Sequence, residues 1–163
     1  MSDHIKLLER FGQGTDLLSA AIDGLAPGEA DFRIAPDKWT IRQLAAHVAD
    51  SELVTGMRYR QVIAEDSPTL QGYDQNLWAT RLDYSRRDPA EAAVTYRQLR
   101  AQSYELMKHL PAEDFERPGT HSERGQLTLM GLLRTYVEHA EKHAEQIRDI
   151  REAFAAQSKG QGA

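Results

Sequence analysis

The chain has 163 residues, a formal net charge of −5 at pH 7 and no cysteine. This length fits a single domain with a real hydrophobic core, and the acidic balance argues against a nucleic-acid partner, which would need a basic patch. Without cysteine there is no disulfide, zinc–thiolate site or protein thiol nucleophile. The chain has no apolar run of about 18 residues and no signal-like start, so we expect a cytoplasmic protein with no membrane partner.

The first half of the chain predicts two long amphipathic helices. The first runs from about Asp3 to Leu25, has apolar residues along one side and carries no candidate chemistry. The second begins after Thr40, which forms a capping box with Gln43. Its apolar stripe continues to Ile63. Both helices are expected to face a common core.

The connection between the second and third helices, from Glu65 to Arg87, is too long for a simple turn. Asp74 is placed to cap a short helix inside it, so we expect a partly structured crossover that covers one end of the molecule. The third helix begins with Asp88 as N-cap and Pro89 at the first helical position. It ends near Pro111, and no convincing strand pattern follows.

The fourth helix has an apolar stripe at helical spacing that extends from Leu129 to Ile150. Four amphipathic helices predict an all-α fold, a four-helix bundle with a long, partly structured crossover between helices 2 and 3. We assign residues 1–156 to one bundle domain. Residues 157–163, rich in glycine and polar residues, are expected to form a flexible C-terminal tail.

His139 and His143 lie one turn apart inside the apolar stripe of the fourth helix. Side chains four residues apart lie one above the other on the same helix face, so two imidazoles at this spacing can bind one cation. The pair alone is a weak signal, because two core histidines can equally be bonded to protein or water.

A third histidine, His47, lies at the edge of the apolar stripe of the second helix. If that helix packs against the fourth, His47 meets His139 and His143. Three protein ligands with an open position are typical of a catalytic metal site, whereas four ligands are typical of a structural one. The sequence therefore predicts a divalent metal bound by three histidines.

The motifs around these histidines resemble those of the DinB superfamily. They are Trp-Thr-x-x-Gln-Leu-x-x-His-Val-x-Asp-x-Glu at 39–52 and Tyr-Val-x-His-x-x-x-His-x-x-Gln-Ile at 136–147. Between them, Asp66-Ser67-Pro68-Thr69, Gly72-Tyr73-Asp74 and Trp78, and His121 ahead of Leu127-Thr128-Leu129, resemble the YfiT-like branch. The resemblance extends from about Lys6 to Phe154.

The resemblance implies a four-helix bundle that binds a divalent metal, most often zinc or nickel, through His47, His139 and His143. Members of the superfamily include S-transferases that use low-molecular-weight thiols such as bacillithiol, and a mycothiol-dependent isomerase. Many YfiT-like members are instead named as metal-dependent hydrolases. The resemblance also implies a homodimer.

Four further residues are candidates for supporting roles. Glu52 lies on the apolar stripe of the second helix, where burial would raise its pKa toward the range of a general acid–base, although a structural bond to an arginine is an alternative. His121 is a candidate proton shuttle, with a loop histidine that has no role as the favoured alternative. Asp50 is a candidate to orient a ligating imidazole through its other nitrogen, with a solvated helix-face acid as the alternative. Gln146 is a candidate to hydrogen-bond a metal-bound water or, alternatively, a backbone carbonyl.

From these observations we expect a metal-dependent enzyme that activates a low-molecular-weight thiol, a bacillithiol-type S-transferase acting on a small-molecule substrate. One alternative is a hydrolase, in which the metal activates water. Another is a metal-binding stress-response protein without catalysis. The chain has no Gly-x-Ser-x-Gly motif and no phosphate-binding loop, which excludes the main serine-hydrolase and nucleotide-binding classes.

Overall fold

The computed structural model describes residues 3–160, over which the chain forms six α-helices and a small three-stranded sheet. The helices are α1 (Asp3–Gln13), α2 (Leu17–Ile22), α3 (Ile41–Ala64), α4 (Gln75–Arg81), α5 (Pro89–Met107) and α6 (Leu129–Gly160). The strands are β1 (Thr69–Leu70), β2 (Pro118–His121) and β3 (Gly125–Thr128). The predicted four-helix bundle is confirmed, with α1 and α2 together as its first helix.

Two pairs of bundle helices lie diagonally across the core, the α1–α2 pair opposite α3 and α5 opposite α6. Helix α3 packs against both α5 and α6, and the α1–α2 pair packs against the same two helices from the other side. Because α3 and α6 are direct neighbours, histidines on these two helices can meet. None of the helices in residues 3–160 combines the length and the apolar character that spanning a membrane requires.

The prediction of one continuous first helix from Asp3 to Leu25 is wrong, because a 3₁₀ turn at Gly14–Asp16 separates α1 from α2. Two backbone carbonyls next to this break accept hydrogen bonds from side chains of α5. These bonds replace the helical hydrogen bonds that are lost at the break. The hydroxyl of Tyr96 donates to Gly14 O at 2.9 Å, and Arg100 Nε donates to Phe11 O at 3.1 Å. A Cβ at Gly12 would lie 2.8 Å from the Tyr104 ring, so close packing on α5 requires glycine there.

The predicted helix starts are confirmed by their hydrogen bonds. At α3, Thr40 Oγ1 accepts from the backbone N–H of Gln43 at 3.3 Å, and Gln43 Oε1 accepts from the backbone N–H of Thr40 at 3.1 Å. Asp88 caps α5 just before Pro89, and Asp74 caps the short helix α4 inside the crossover. The ends of the helices that carry and cover the site are therefore fixed by local sequence.

The expectation that the chain has no sheet is wrong. Strand β1 from the crossover pairs in parallel with β2, and β2 pairs antiparallel with β3 through a tight hairpin. The backbone N–H of Thr120 donates to Pro68 O at 2.9 Å, and that of Ser122 donates to Leu70 O at 3.0 Å. Strands of two and four residues are too short to give a periodic sequence signal, and β1 forms only because β2 supplies its partner.

Two apolar clusters fill the bundle, with a buried polar layer between them. One cluster includes Ile41, Leu44 and Ile147, and the other includes Phe11, Tyr59 and Leu133. The layer between them contains Glu52 and Arg100. Helix α6 continues to Gly160, so residues 157–160 of the predicted tail are helical, and residues 161–163 lie outside the described residues.

Candidate metal centre

The three predicted histidines come together at the contact of α3 with α6. The Nε2 atom of His139 lies 3.2 Å from Nε2 of His47 and 3.1 Å from Nε2 of His143. Among residues 3–160, no fourth histidine, aspartate or glutamate belongs to this cluster. The structure thus presents three imidazole nitrogens to one point and leaves further coordination positions open.

The 3.2 and 3.1 Å spacings from Nε2 of His139 fit a metal ion, and the three candidate ligand atoms all lie within 4.8 Å of one another. Zinc–imidazole bonds of about 2.0–2.1 Å at angles between octahedral and tetrahedral require nitrogens about 2.8–3.4 Å apart. Three neutral imidazoles in this arrangement cannot all satisfy their Nε2 atoms by bonding to one another, because each ring has one donor and one acceptor. The donor set therefore suits a divalent cation better than it suits a hydrogen-bonded histidine cluster.

Gln146 fixes the tautomer of His143. Its amide oxygen Oε1 lies 2.7 Å from Nδ1 of His143 and accepts the proton that this nitrogen carries. The Nε2 lone pair of His143 is then free for a metal. Gln146 thus contacts the imidazole of His143 directly, whereas the sequence placed it against a metal-bound water or a backbone carbonyl.

Asp50, the candidate to orient a ligating imidazole, is bonded to none of the three histidines within the described residues. Its carboxylate lies 3.6 Å from the guanidinium of Arg87, and among the described residues it makes no hydrogen bond to His47, His139 or His143. The Nδ1 atom of His47 is buried and has no hydrogen-bond partner within residues 3–160. His47 is held instead by packing, with the Trp39 ring in edge contact at 5.0 Å between centroids.

Burial keeps the three imidazoles neutral. It lowers the pKa of His47 to about 4 and, with the neighbouring His143 as a second cause, lowers that of His139 to about 2. Burial also lowers the pKa of His143, against the opposing effect of its hydrogen bond to Gln146. Neutral imidazole is the form that binds a metal, so the site needs no deprotonation near neutral pH.

Glu52 is buried, as its position on the apolar stripe suggested, and it is bonded to an arginine. Its Oε2 accepts from Arg100 Nη1 at 3.2 Å in the polar layer of the core. Burial raises the pKa of Glu52 to about 7, although Arg100 opposes the shift. Glu52 lines neither of the cavities that reach the histidines, and its role as an acid–base group stays a prediction.

Two cavities reach the histidines. The first, which we call the Arg58 cavity, has a volume of about 300 Å³, and the second, the Trp39 cavity, has a volume of about 320 Å³. Gln75 at the start of α4 lines both cavities. The Arg58 cavity is lined by His47, Ser51, Arg58, Gly72, Tyr73, Gln75, His121, Glu123, Arg124, Thr135, Tyr136 and His139. The Trp39 cavity is lined by Ile34, Asp37, Lys38, Trp39, Leu44, Gln75, Asn76, His143, Gln146, Asp149 and Ile150.

His121 lies at the end of β2 and not in the loop where the sequence placed it. It is buried and lines the Arg58 cavity together with His47 and His139. Its Nδ1 accepts from the backbone N–H of Glu123 at 3.2 Å, so in the neutral ring the proton is on Nε2. His121 can therefore donate a hydrogen bond to a molecule in the cavity, whereas its use as a proton shuttle stays a prediction.

Sequence reasoning missed Arg58 as a residue of the site. Arg58 follows His47 by 11 residues, which places it only about 20° away around the helix axis. That spacing is a signal that the sequence does contain. The crossover residue Tyr73, whose ring packs against Trp78 at 4.4 Å between centroids, was treated only as part of a family motif.

A sequence profile of the DinB superfamily matches residues 10–147. The chain belongs to this superfamily. It is 25% identical over 134 residues to YfiT of Bacillus subtilis (strain 168), which covers 82% of this chain and 75% of that protein. A relative from Bacillus cereus (strain 03BB102) is 28% identical over 134 residues, or 82% of this chain and 77% of that protein. Both relatives are provisionally named as metal-dependent hydrolases.

The solved structure of Bacillus subtilis YfiT is similar to this fold. It superposes with a TM-score of 0.87 at 23% identity, covering 95% of this chain and 90% of that chain. That protein is described as a four-helix bundle of unusual topology. The likeness confirms the bundle fold.

Proposed function

We propose that this DinB superfamily protein is a metal-dependent enzyme and that its first candidate reaction is thiol S-transfer. The observation that carries the proposal is a cluster of three neutral histidines that has no fourth protein ligand among the described residues and lines two cavities. A structural metal site would be closed by a fourth ligand. A divalent ion bound here would lower the pKa of a thiol or a water that it binds.

The two cavities favour a reaction with two substrates. His47 and His139 line the Arg58 cavity, while His143 lines the Trp39 cavity, and the cavities adjoin at Gln75. A thiol and an electrophile can then approach the histidines from different cavities. In the transfer, the thiol sulfur forms a bond to an electrophilic carbon, the bond from that carbon to its leaving group breaks, the leaving group takes the electron pair, and the thiol proton passes to solvent.

The chain's own residues supply orientation and proton donors. Gln146 holds the His143 ring, and Trp39 packs against the His47 ring. The Nε2–H of His121 and the hydroxyl of Tyr136 both belong to the wall of the Arg58 cavity, where they can donate to a leaving group or a substrate oxygen. The crossover residues Tyr73 and Gln75 line the same cavity.

Hydrolysis is the second candidate, and the provisional names of the relatives favour it. It would use the same three histidines, with water in place of the thiol and a single substrate. Zinc and nickel remain the proposed metals. The homodimer expected from the resemblance stays a prediction, which the mass of the protein in solution tests.

The test begins with elemental analysis of wild-type protein purified without chelator or nickel resin, beside the His139→Ala variant. We expect about one metal ion per chain in the wild type and none in the variant. Conjugation of an electrophile such as monobromobimane is then measured with several low-molecular-weight thiols, and hydrolysis is measured with activated esters. Turnover that needs the thiol supports the transferase, and ester turnover without thiol supports the hydrolase. Metal binding with neither activity overturns the enzymatic proposal in favour of a binding protein.

A further inference from the structure

The guanidinium of Arg58 is buried, and no carboxylate among the described residues pairs with it. Its side chain is only 5% exposed, and no ion pair among residues 3–160 includes it. Nη1 donates to the hydroxyl of Tyr136 and Nη2 donates to Gln71 O at 2.5 Å, while Nε has no partner in the part of the chain that the structure describes. Both acceptors are neutral, so the charge of the guanidinium is not balanced by the protein around it.

The other deeply buried arginine shows the contrast. Arg100 is 1% exposed and has the Glu52 carboxylate at 3.2 Å, entirely within the core. Burial of a charge costs free energy unless an opposite charge or several hydrogen bonds compensate it. Arg58 differs from Arg100 because it lines a cavity. An anion that enters the cavity can therefore supply the negative charge that Glu52 supplies to Arg100.

The other groups around the Arg58 cavity are mainly hydrogen-bond donors. The Nε2–H of His121 is available because its Nδ1 already accepts a bond. The hydroxyl of Tyr136 accepts from Arg58, which leaves its own proton free to donate. Arg124 adds a second positive charge, and Glu123 is the one carboxylate among the residues that line this cavity.

We propose that the Arg58 cavity binds the anionic end of the substrate, a carboxylate or a phosphate group, through Arg58, His121 and Arg124. An arginine has five N–H donors, and the protein uses one on each terminal nitrogen of Arg58, so each of these nitrogens keeps a second N–H for an oxyanion. His47 and His139 line the same cavity, so a small acid held at Arg58 directs its remaining atoms toward the histidines. This assignment rests on the proposed function, because it takes the cavity as the substrate site.

The test is a binding titration of metal-free protein, since a bound metal would itself attract anions. Succinate and inorganic phosphate are titrated separately, with succinamide as the neutral analogue of succinate, and binding is followed by amide chemical shifts in NMR. We expect succinate or phosphate to bind and succinamide not to bind. Binding should weaken with added salt, because the attraction is between charges.

Variants separate Arg58 from general surface charge. Arg58→Met should weaken anion binding at least about tenfold, since a charge-assisted pair of bonds is lost. Arg124→Gln should weaken it several-fold, and Arg134→Gln, an exposed site on α6 with the same loss of charge, should leave it unchanged. If Arg58→Met does not fold, the anion affinities of Arg124→Gln and Arg134→Gln are compared instead, and weaker binding by Arg124→Gln alone supports the proposal. Equal binding of succinate and succinamide, or equal binding by the Arg124 and Arg134 variants, would overturn the proposal.

Metal analysis keeps the two proposals apart. If anions bind in an Arg58-dependent way while the wild type holds no metal, the proposed metal-dependent activity fails and the anion site stands. If the wild type binds metal through His139 and no anion binds, the metal centre stands and the assignment of the Arg58 cavity fails.

Discussion

Gln146 accepts a hydrogen bond from Nδ1 of His143 at 2.7 Å, and this bond turns the Nε2 lone pair of His143 toward His139. We predict that Gln146→Leu lowers the affinity for zinc or nickel by about 10- to 100-fold, because the ring loses the contact that sets its tautomer. Competition with a chromophoric chelator measures the affinity. Glu145→Gln, at an exposed neighbouring position on α6, is the control and should not change it. Unchanged affinity in Gln146→Leu would mean that packing alone orients the ring.

The substitution His47→Leu should stabilise the metal-free protein but destabilise the protein, relative to the wild type, when zinc is present. In metal-free protein, His47→Leu removes a buried Nδ1 without a partner and should raise the free energy of unfolding by about 1 kcal/mol. With excess zinc, the wild type should gain stability by preferential binding to the folded state, and the variant should gain little. Chemical denaturation with chelator and with zinc measures both.

The exposed His109 provides the matched control for this experiment. His109→Leu should respond to zinc as the wild type does. A response of His47→Leu equal to that of the wild type would show that His47 is not a ligand.

The sequence predicts a site residue well when the groups around it are close in sequence, and poorly when they come from distant parts of the chain. His139 and His143 share one helix, so their common face follows from spacing alone, and the caps at Thr40 and Asp88 follow from short local motifs. The environment of Arg58 is not local. An arginine on a helix flank ordinarily faces solvent, and this one is buried only because the backbone of Gln71 and the β2–β3 hairpin fold over it.

The same distinction explains the two errors in secondary structure. The apolar spacing of the first helix continues through Gly12 and Gly14, and the break becomes favourable only because Arg100 and Tyr96 on α5 bond the freed carbonyls. Strand β1 has two residues and exists through its pairing with β2. In both places a partner distant in sequence determines the structure, which local patterns cannot reveal.

Glu52 should make the stability of the metal-free protein depend on pH. Its pKa is raised to about 7 in the folded chain from 4.5, chiefly by burial. Between these values the folded state holds a proton that the unfolded state has released, so this contribution is fully present below pH 4.5 and is lost as pH rises through 7. The loss should be on the order of 3 kcal/mol for a shift of this size.

The measurement is the difference in unfolding free energy between the wild type and Glu52→Gln, taken from pH 4 to pH 8 with chelator present. Glutamine does not titrate, so the other groups, including the histidines, cancel in the difference. The wild type should lose stability relative to Glu52→Gln as pH rises. A difference that stays constant across this range would show that Glu52 remains ionised beside Arg100.

Replacing only Arg100 of the buried Glu52–Arg100 pair should lower the free energy of unfolding more than replacing both residues. Arg100→Met leaves the Glu52 carboxylate buried without its cation and should cost about 3–5 kcal/mol of unfolding free energy. The double variant Glu52→Gln with Arg100→Met leaves no buried charge in this layer and should recover part of that loss. Arg97→Met is the control, because Arg97 pairs with Asp16 at the surface at 3.0 Å and should cost less than about 1 kcal/mol. Urea denaturation at pH 8 measures all three, and a double variant no more stable than Arg100→Met would show that the cost lies in the lost bond to Phe11 O and not in the orphaned charge.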